Sequence, residues 1–312
     1  MRSVVLFLLA LCVLVRAQTP ADARDIFVSN TSGDDKFSGT SPQSVGDGGG
    51  PVRTIAKALR VAGPGDRVVL DNSGRLYHES ITVEGARHSG TSLGRFTLIG
   101  NGATLDGSAS VPPRAWENYR GPVFRFRPPR SENQQLFLDE RPAARVSANP
   151  LGGSPPKLEP RQWCQLGGYL YFCVEPTRLP EDYRLSYSAL DTAITLVAVN
   201  KVAISDLSIQ GFRLDGINAA NAAQDVAITR VVCRGNGRSG ITVGGASLVD
   251  LDTVSAGDNG MAQVLVLPLS EIHLESCKLL SNTAPGLVDR GGRVYLDGKL
   301  ILGGIDGRKV GE

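Results

Sequence analysis

The sequence predicts an all-β protein folded as a parallel β-helix, with three short strands per coil, about 23 residues per coil, an N-terminal capping helix and a β-rich insertion. Three observations predict it. An aliphatic pattern repeats from residue 200 onward, Gly makes up 37 of 312 residues, and aromatic residues are only 6%. Gly at about 12% against a usual 7% or so favours many turns over long helices. Apolar residues at 41% suffice for a large core, and charged residues at 21% are too few and too balanced for disorder.

Residues 1–17 read as a cleaved export signal. Met1, Arg2 and Ser3 form a basic start, residues 4–15 are an unbroken apolar run of 12, and Val15-Arg16-Ala17 offers small residues for cleavage. The run is too short to span a bilayer, which takes about 20 apolar residues. Cys12 lies within it, but Leu11 lacks the small side chain of a lipoprotein signal. A secreted or periplasmic protein without membrane insertion is expected. Removing this segment takes away two Arg and no acid, which leaves 31 residues of each sign. A neutral chain has no bulk electrostatic footprint for nucleic acid.

Residues 18–108 read as the N-terminal cap and the first coils. Thr54 can cap a short helix whose Ile55, Ala58, Leu59 and Ala62 form one apolar stripe, ended by Gly63-Pro64-Gly65. The stripe would plug one end of the core, where unpaired strand groups would otherwise invite edge pairing. Arg67-Val-Val-Leu-Asp, Glu79-Ser-Ile-Thr-Val and Arg95-Phe-Thr-Leu-Ile are strand-like runs between Gly, Asn and Ser turns.

Residues 109–190 break the period and hold 12 of the 18 Pro and 11 of the 18 aromatic residues. Cys164 and Cys173 flank Gly167-Gly168 in what reads as a β-hairpin. If they face each other across the strands, a local disulfide fits an oxidising compartment. Cysteine spacing offers no zinc pattern.

Residues 191–305 stack on themselves. Val202, Val226, Val249, Ile272 and Val294 lead successive repeats at steps of 24, 23, 23 and 22, each followed two residues on by another aliphatic. Ile209, Cys233, Ala256 and Leu279 mark a second strand, and Ile217, Ile241, Val264 and Leu287 a third. Asn236, Asn259 and Asn282 recur at one offset, where Asn tolerates a left-handed turn and stacked amides can bond from coil to coil. Cys233 and Cys277 fall two coils apart, beyond disulfide reach, and read as buried hydrophobes. Residues 306–312 are a tail. The last strand has no capping helix, so edge-to-edge self-association at the C-terminal coil is a further expectation.

Phe27-Val-Ser-Asn-Thr-Ser-Gly-Asp-Asp, Phe37-Ser-Gly-Thr, Pro51-Val-Arg-Thr-Ile-Ala-Lys-Ala-Leu and Gly63-Pro-Gly-Asp-Arg-Val-Val-Leu resemble the opening of secreted right-handed parallel β-helix proteins of the pectate-lyase-like superfamily. Asn200-Lys-Val-Ala-Ile-Ser-Asp-Leu-Ser-Ile-Gln-Gly-Phe looks like its generic repeat. The resemblance implies a right-handed coil and a polysaccharide or other glycan as partner. It does not choose an activity, because the superfamily includes lyases, glycoside hydrolases, epimerases and adhesins. The insertion looks like the small β-rich inserts of polysaccharide-active members, in which Trp116, Tyr119, Trp163 and Tyr171 would stack on sugar rings. The same aromatics also suit the insertion's own core.

One column of outward positions carries the candidate chemistry. Asp250 and His273 share one offset, and Asp252, Glu275 and Asp297 share another on the same face. Side chains on successive coils lie about 4.8 Å apart. Asp250, Asp252, His273 and Glu275 are therefore the catalytic candidates, since carboxyl groups near 5 Å apart suit a retaining glycosidase. Asp252, Glu275 and Asp297 are candidate ligands for Ca²⁺. A plain solvated strand face is the competing reading. Arg230, Arg234 and Arg238 form a basic cluster that suits a uronate, or surface ion pairs. The lyase constellation, the paired-Asp and Asp-Pro-His-Asp motifs, a Gly-Xaa-Ser-Xaa-Gly elbow and a phosphate loop are all missing. Two functions follow as expectations: a secreted carbohydrate-active enzyme, lyase or glycoside hydrolase, or a non-catalytic glycan-binding or surface-scaffold protein.

Overall fold

The computed structural model describes residues 23–46 and 48–304. The export signal, Cys12 and the C-terminal tail lie outside these residues. The chain is all-β with mostly parallel sheets.

Three parallel sheets receive the repeats in strict rotation. The first runs through Asp25–Val28, Arg67–Leu70, Phe96–Ile99, Asn200–Ser205, Gln224–Thr229, Leu248–Asp252, Glu271–Glu275 and Arg293–Leu296. The second holds Thr104–Asp106, Ser208–Gln210, Val232–Arg234, Ser255–Gly257 and Lys278–Leu279. The third holds Ile81–Glu84, Ile194–Val197, Asp215–Ala219, Ser239–Val243, Ala262–Val266 and Leu287–Asp289. From residue 200 each strand pairs with the one a full repeat later. Val202, Val226, Val249, Ile272 and Val294 stand in register, as do Ile209, Cys233, Ala256 and Leu279, and Ile217, Ile241, Val264 and Leu287. Strand alternation sends these aliphatic columns to one side, where they join a single core with residues from all three sheets. Cys233 and Cys277 are buried within it.

The corners recur as regularly as the strands. Asp206, Arg230, Thr253 and Ser276 each follow a first-sheet strand and each adopts φ of 50 to 57°. Ala198, Ala222, Ala246 and Leu269, after third-sheet strands, adopt φ of 48 to 62° at another corner. Left-handed backbone costs a non-Gly residue about 1 kcal/mol or more, and it persists here because the paired strands on either side fix the turn. The sequence pattern placed the left-handed residue at the stacked Asn. Instead, buried Asn259 accepts hydrogen bonds from the backbone N and the Nδ2 of Asn236 at 2.9 and 3.1 Å, while the next Asn, Asn282, is exposed and bonds Asp258.

The helix Ile55–Val61 has Thr54 as its N-cap, with Oγ1 accepting from Lys57 N at 3.1 Å. Its buried Ile55, Ala58 and Leu59 join the shared core beside the first strands. At the other end, the antiparallel strand Lys299–Ile301 covers the last parallel strand of the first sheet. The free edge thus passes to this short hairpin strand.

Between Thr104–Asp106 and Ile194–Val197 the chain leaves the rotation and builds two mainly antiparallel sheets of four and five strands. The hairpin Gln162–Leu166 with Tyr169–Cys173 turns at Gly167 and Gly168, both at positive φ, as a two-residue hairpin requires. Its register overturns the disulfide. Cys164 stands opposite Tyr171, Cys173 lies two residues further along, and both thiols are free and buried. Diagonal strand neighbours are about 7–8 Å apart, too far for a bridge without backbone movement.

Candidate functional site

The outward face of the first sheet brings Asp250, Asp252, His273 and Glu275 together. Asp250 pairs with His273, His273 with Tyr295, and Asp252 with Glu275. With Gly298 from the hairpin turn, these side chains line one open pocket of about 560 Å³.

His273 is the hub of this face. Its Nδ1 is 2.8 Å from Oδ1 of Asp250 and its Nε2 is 3.0 Å from Oε1 of Glu271, while Glu271 pairs with Arg293 at 2.5 Å. The imidazole thereby bridges two carboxylates through its two ring nitrogens. The Tyr295 ring meets the imidazole edge-on at 4.9 Å. Asp250, His273, Glu271 and Arg293, on three strands, are thereby linked into one chain of contacts. Asp252 and Glu275 lie beside this chain, more exposed, with Asp252 accepting from Thr253 Oγ1 at 2.9 Å.

Asp297 departs from the column, since it follows the strand Arg293–Leu296 and turns into the hairpin at φ 47°. Among the described residues, no three His, Cys, Asp or Glu side chains converge as metal ligands. Asp252, Glu275 and Asp297 therefore do not form a cage that fits Ca²⁺.

The arginine cluster is dispersed. Arg230 makes a bidentate pair with Asp206 at 2.6 and 2.8 Å, Arg234 bonds Gln210, and Arg238 pairs with fully buried Asp215. Arg230 sits at a corner, Arg234 ends a second-sheet strand and Arg238 precedes a third-sheet strand, and each guanidinium is taken up by its own partner.

Trp163, Tyr171 and Trp116 pack within the insertion's own clusters. Trp163 is fully buried, donates Nε1–H to the Ala143 carbonyl at 3.0 Å and lies under Arg145, so it presents no face to a sugar. Tyr171 is buried in a small cluster with Cys164 and Cys173. Trp116 packs on Phe126 and Phe172 at 5.6 and 6.1 Å. Large rings supply most of the burial in a module this small. The insertion also does not wall the carboxylate pocket, because it docks on the corner between the second and third sheets, at Gly235 and Gly237.

Glu271 and Arg293 are the residues that motif reading passed over. The available signal was the same period of two, which puts Glu271 on the face of His273 and Arg293 opposite Glu271.

No family model and no curated protein matches this chain. Solved structures do resemble it. One described as XylC in complex with xylose superposes with a TM-score of 0.55 at 14% identity, over 81% of this chain and 54% of the other. A second, a glycoside hydrolase, gives a TM-score of 0.58 at 11% identity, over 86% of this chain and 74% of the other. The chain spans about half the length of the first. At such identities the likeness is one of fold alone.

Proposed function

We propose that the chain is an exported parallel β-helix protein of the pectate-lyase-like kind that works on glycans as a glycoside hydrolase. The rotation of strands through three sheets and the recurring left-handed corners support the solenoid reading. The apolar run at residues 4–15 supports export. The observation that carries the activity is the pairing of Asp252 with Glu275 on neighbouring strands, in one pocket with Asp250 and His273.

Strands in a sheet lie about 4.8 Å apart, and a retaining glycosidase places its two carboxyl groups about 5–5.5 Å apart. In this reading one of the pair attacks the anomeric carbon. The other protonates the departing oxygen and then takes a proton from water. His273 fixes Asp250 and Glu271 beside them, and Tyr295 offers an apolar wall. Incubating the protein with a polysaccharide panel, with and without Ca²⁺, tests the proposal through new reducing ends and unsaturated products. Reducing ends alone support hydrolysis, and unsaturated ends would make it a lyase.

A second reading is glycan binding without cleavage. It is favoured by the openness of the face, where Asp252 and Glu275 are both exposed and no insertion residue lines the pocket. Glycan binding that survives Asp252→Ala with Glu275→Ala, and no cleavage by the wild type, would select it.

A further inference from the structure

A pocket of about 680 Å³ opens at the corner where the chain enters the first sheet, with Gln224, Leu269, Glu271, Gly291 and Arg293 in its lining. Leu269 is the unexpected member. The same corner carries Ala198, Ala222 and Ala246 in the preceding turns, all left-handed, and Leu269 keeps that conformation at φ 62°. A bulky side chain is an outlier there. Leu269 is nevertheless 81% exposed and joins none of the apolar clusters among the described residues. In the next turn the same position is Gly291, at φ 112°, which adds no side chain beside it. The one large residue of this column therefore contributes nothing to the core and faces an open pocket.

This corner pocket adjoins the carboxylate pocket. Leu248, Glu271 and Arg293 stand opposite one another on three neighbouring strands. Two residues further along those strands, about 7 Å, Asp250, His273 and Tyr295 occupy the same face. Glu271 joins the two, because it lines the corner pocket while its Oε1 lies 3.0 Å from His273 Nε2. We propose that the corner pocket is a second glycan subsite, so that one chain of neutral sugars runs along the strands from Leu269 to Asp252 and Glu275. Glu271 and Arg293 are the charged residues of its lining and pair at 2.5 Å, which leaves the lining without net charge. The other N–H groups of Arg293 and the side-chain carbonyl of Gln224 have no partner among the described residues, and both side chains are exposed. A sugar hydroxyl accepts from the first and donates to the second. Leu269 meets the apolar C–H face of the ring. The volume falls within the range of about 300–1,000 Å³ for ligand sites.

The inference rests on the carbohydrate reading but not on cleavage. Calorimetric titration of the full chain with β-1,4-linked xylo-, cello- and manno-oligosaccharides of two and six units tests it, in a Glu275→Gln background that keeps the ligand intact. At least one hexamer should bind, about tenfold or more tighter than its dimer, because only the longer chain reaches both pockets. Adding Leu269→Ala should weaken that hexamer about fivefold, for part of one apolar contact, and Leu269→Met should restore it. Thermal stability of Leu269→Ala should be unchanged or higher, because Ala is the residue of the preceding turns and an exposed side chain is lost. No binding of any hexamer, a hexamer no tighter than its dimer, or equal affinity in Leu269→Ala would each overturn the proposal. Hexamer binding that depends on Leu269, without cleavage by the wild type, would sink the hydrolase reading and leave this one standing. Cleavage by the wild type with KM unchanged in Leu269→Ala would do the reverse.

Discussion

His273 Nδ1 lies 2.8 Å from Oδ1 of Asp250 on the neighbouring strand, and its other ring nitrogen is held by Glu271. The imidazole separates two carboxylates that would otherwise repel across the sheet. His273→Ala should therefore cost little stability, within about 1 kcal/mol for a half-exposed cluster. It should cut turnover by about 10²-fold if the cluster positions a working carboxyl. Chemical denaturation and initial rates check the two halves separately, and a large stability loss would make His273 merely structural.

Asn259→Ala should destabilise by about 3 kcal/mol, since it leaves the backbone N–H and side-chain amide of Asn236 without an acceptor inside the core. Asn282→Ala, which removes an exposed bond to Asp258, should cost less than about 1 kcal/mol. Urea midpoints of the two variants check the contrast.

Asp215 has no exposed surface and receives bonds from Arg238, Ser239 and Asn218. Hydrogen bonding to Asp215 holds the Arg238 guanidinium above its usual range. Asp215→Ala should cost about 3 kcal/mol by stranding that charge, and adding Arg238→Met should restore part of the loss. Equal stability of the single and double variants would contradict this.

The thiols should be silent in the folded protein. Burial pushes Cys164 up to about 11 and Cys233 up to about 12, and it raises Cys173 and Cys277 as well. A thiol-reactive disulfide reagent at neutral pH should label none of the four until denaturant is added. Reductant should leave the melting temperature unchanged. A drop on reduction would reinstate the Cys164–Cys173 bridge.

Much of the fold was legible in the sequence, because a strand stack repeats its own constraints. Val202 through Val294 must face inward at every turn, so their spacing gave both the rotation and the register. What the pattern hid was local. Cys164 and Cys173 share a face, but a shift of two residues along a hairpin decides whether a bridge forms, and only backbone register shows that. The left-handed corners fell on Asp206, Arg230, Thr253 and Ser276, residue types without a shared signature, because the stacked strands impose the conformation. Asp250, Asp252, His273 and Glu275 were legible as one patch from their offsets. Glu271 and Arg293 were overlooked because each lies one residue before an aliphatic leader. The aromatics misled, since Trp163 and Tyr171 were needed for the insertion's own core.

Docking of the insertion is open to a direct test at Gly237. A Cβ there would overlap the carbonyl oxygens of Asn133 and Arg213. Gly237→Ala should cost about 1–3 kcal/mol through overpacking and should speed proteolysis within residues 109–190. An unchanged digestion pattern would mean that the insertion is not anchored at this corner.

The measurement closest to the central claim is the rate of reducing-end release from the glycan that the wild type cleaves best, compared with Asp252→Asn and Glu275→Gln. Both substitutions keep shape and remove the charge that the reaction uses. Cleavage with retained anomeric configuration, and a loss of about 10³-fold or more in each variant, is the expected result. Full activity in both variants, or no cleavage of any glycan by the wild type, would contradict it.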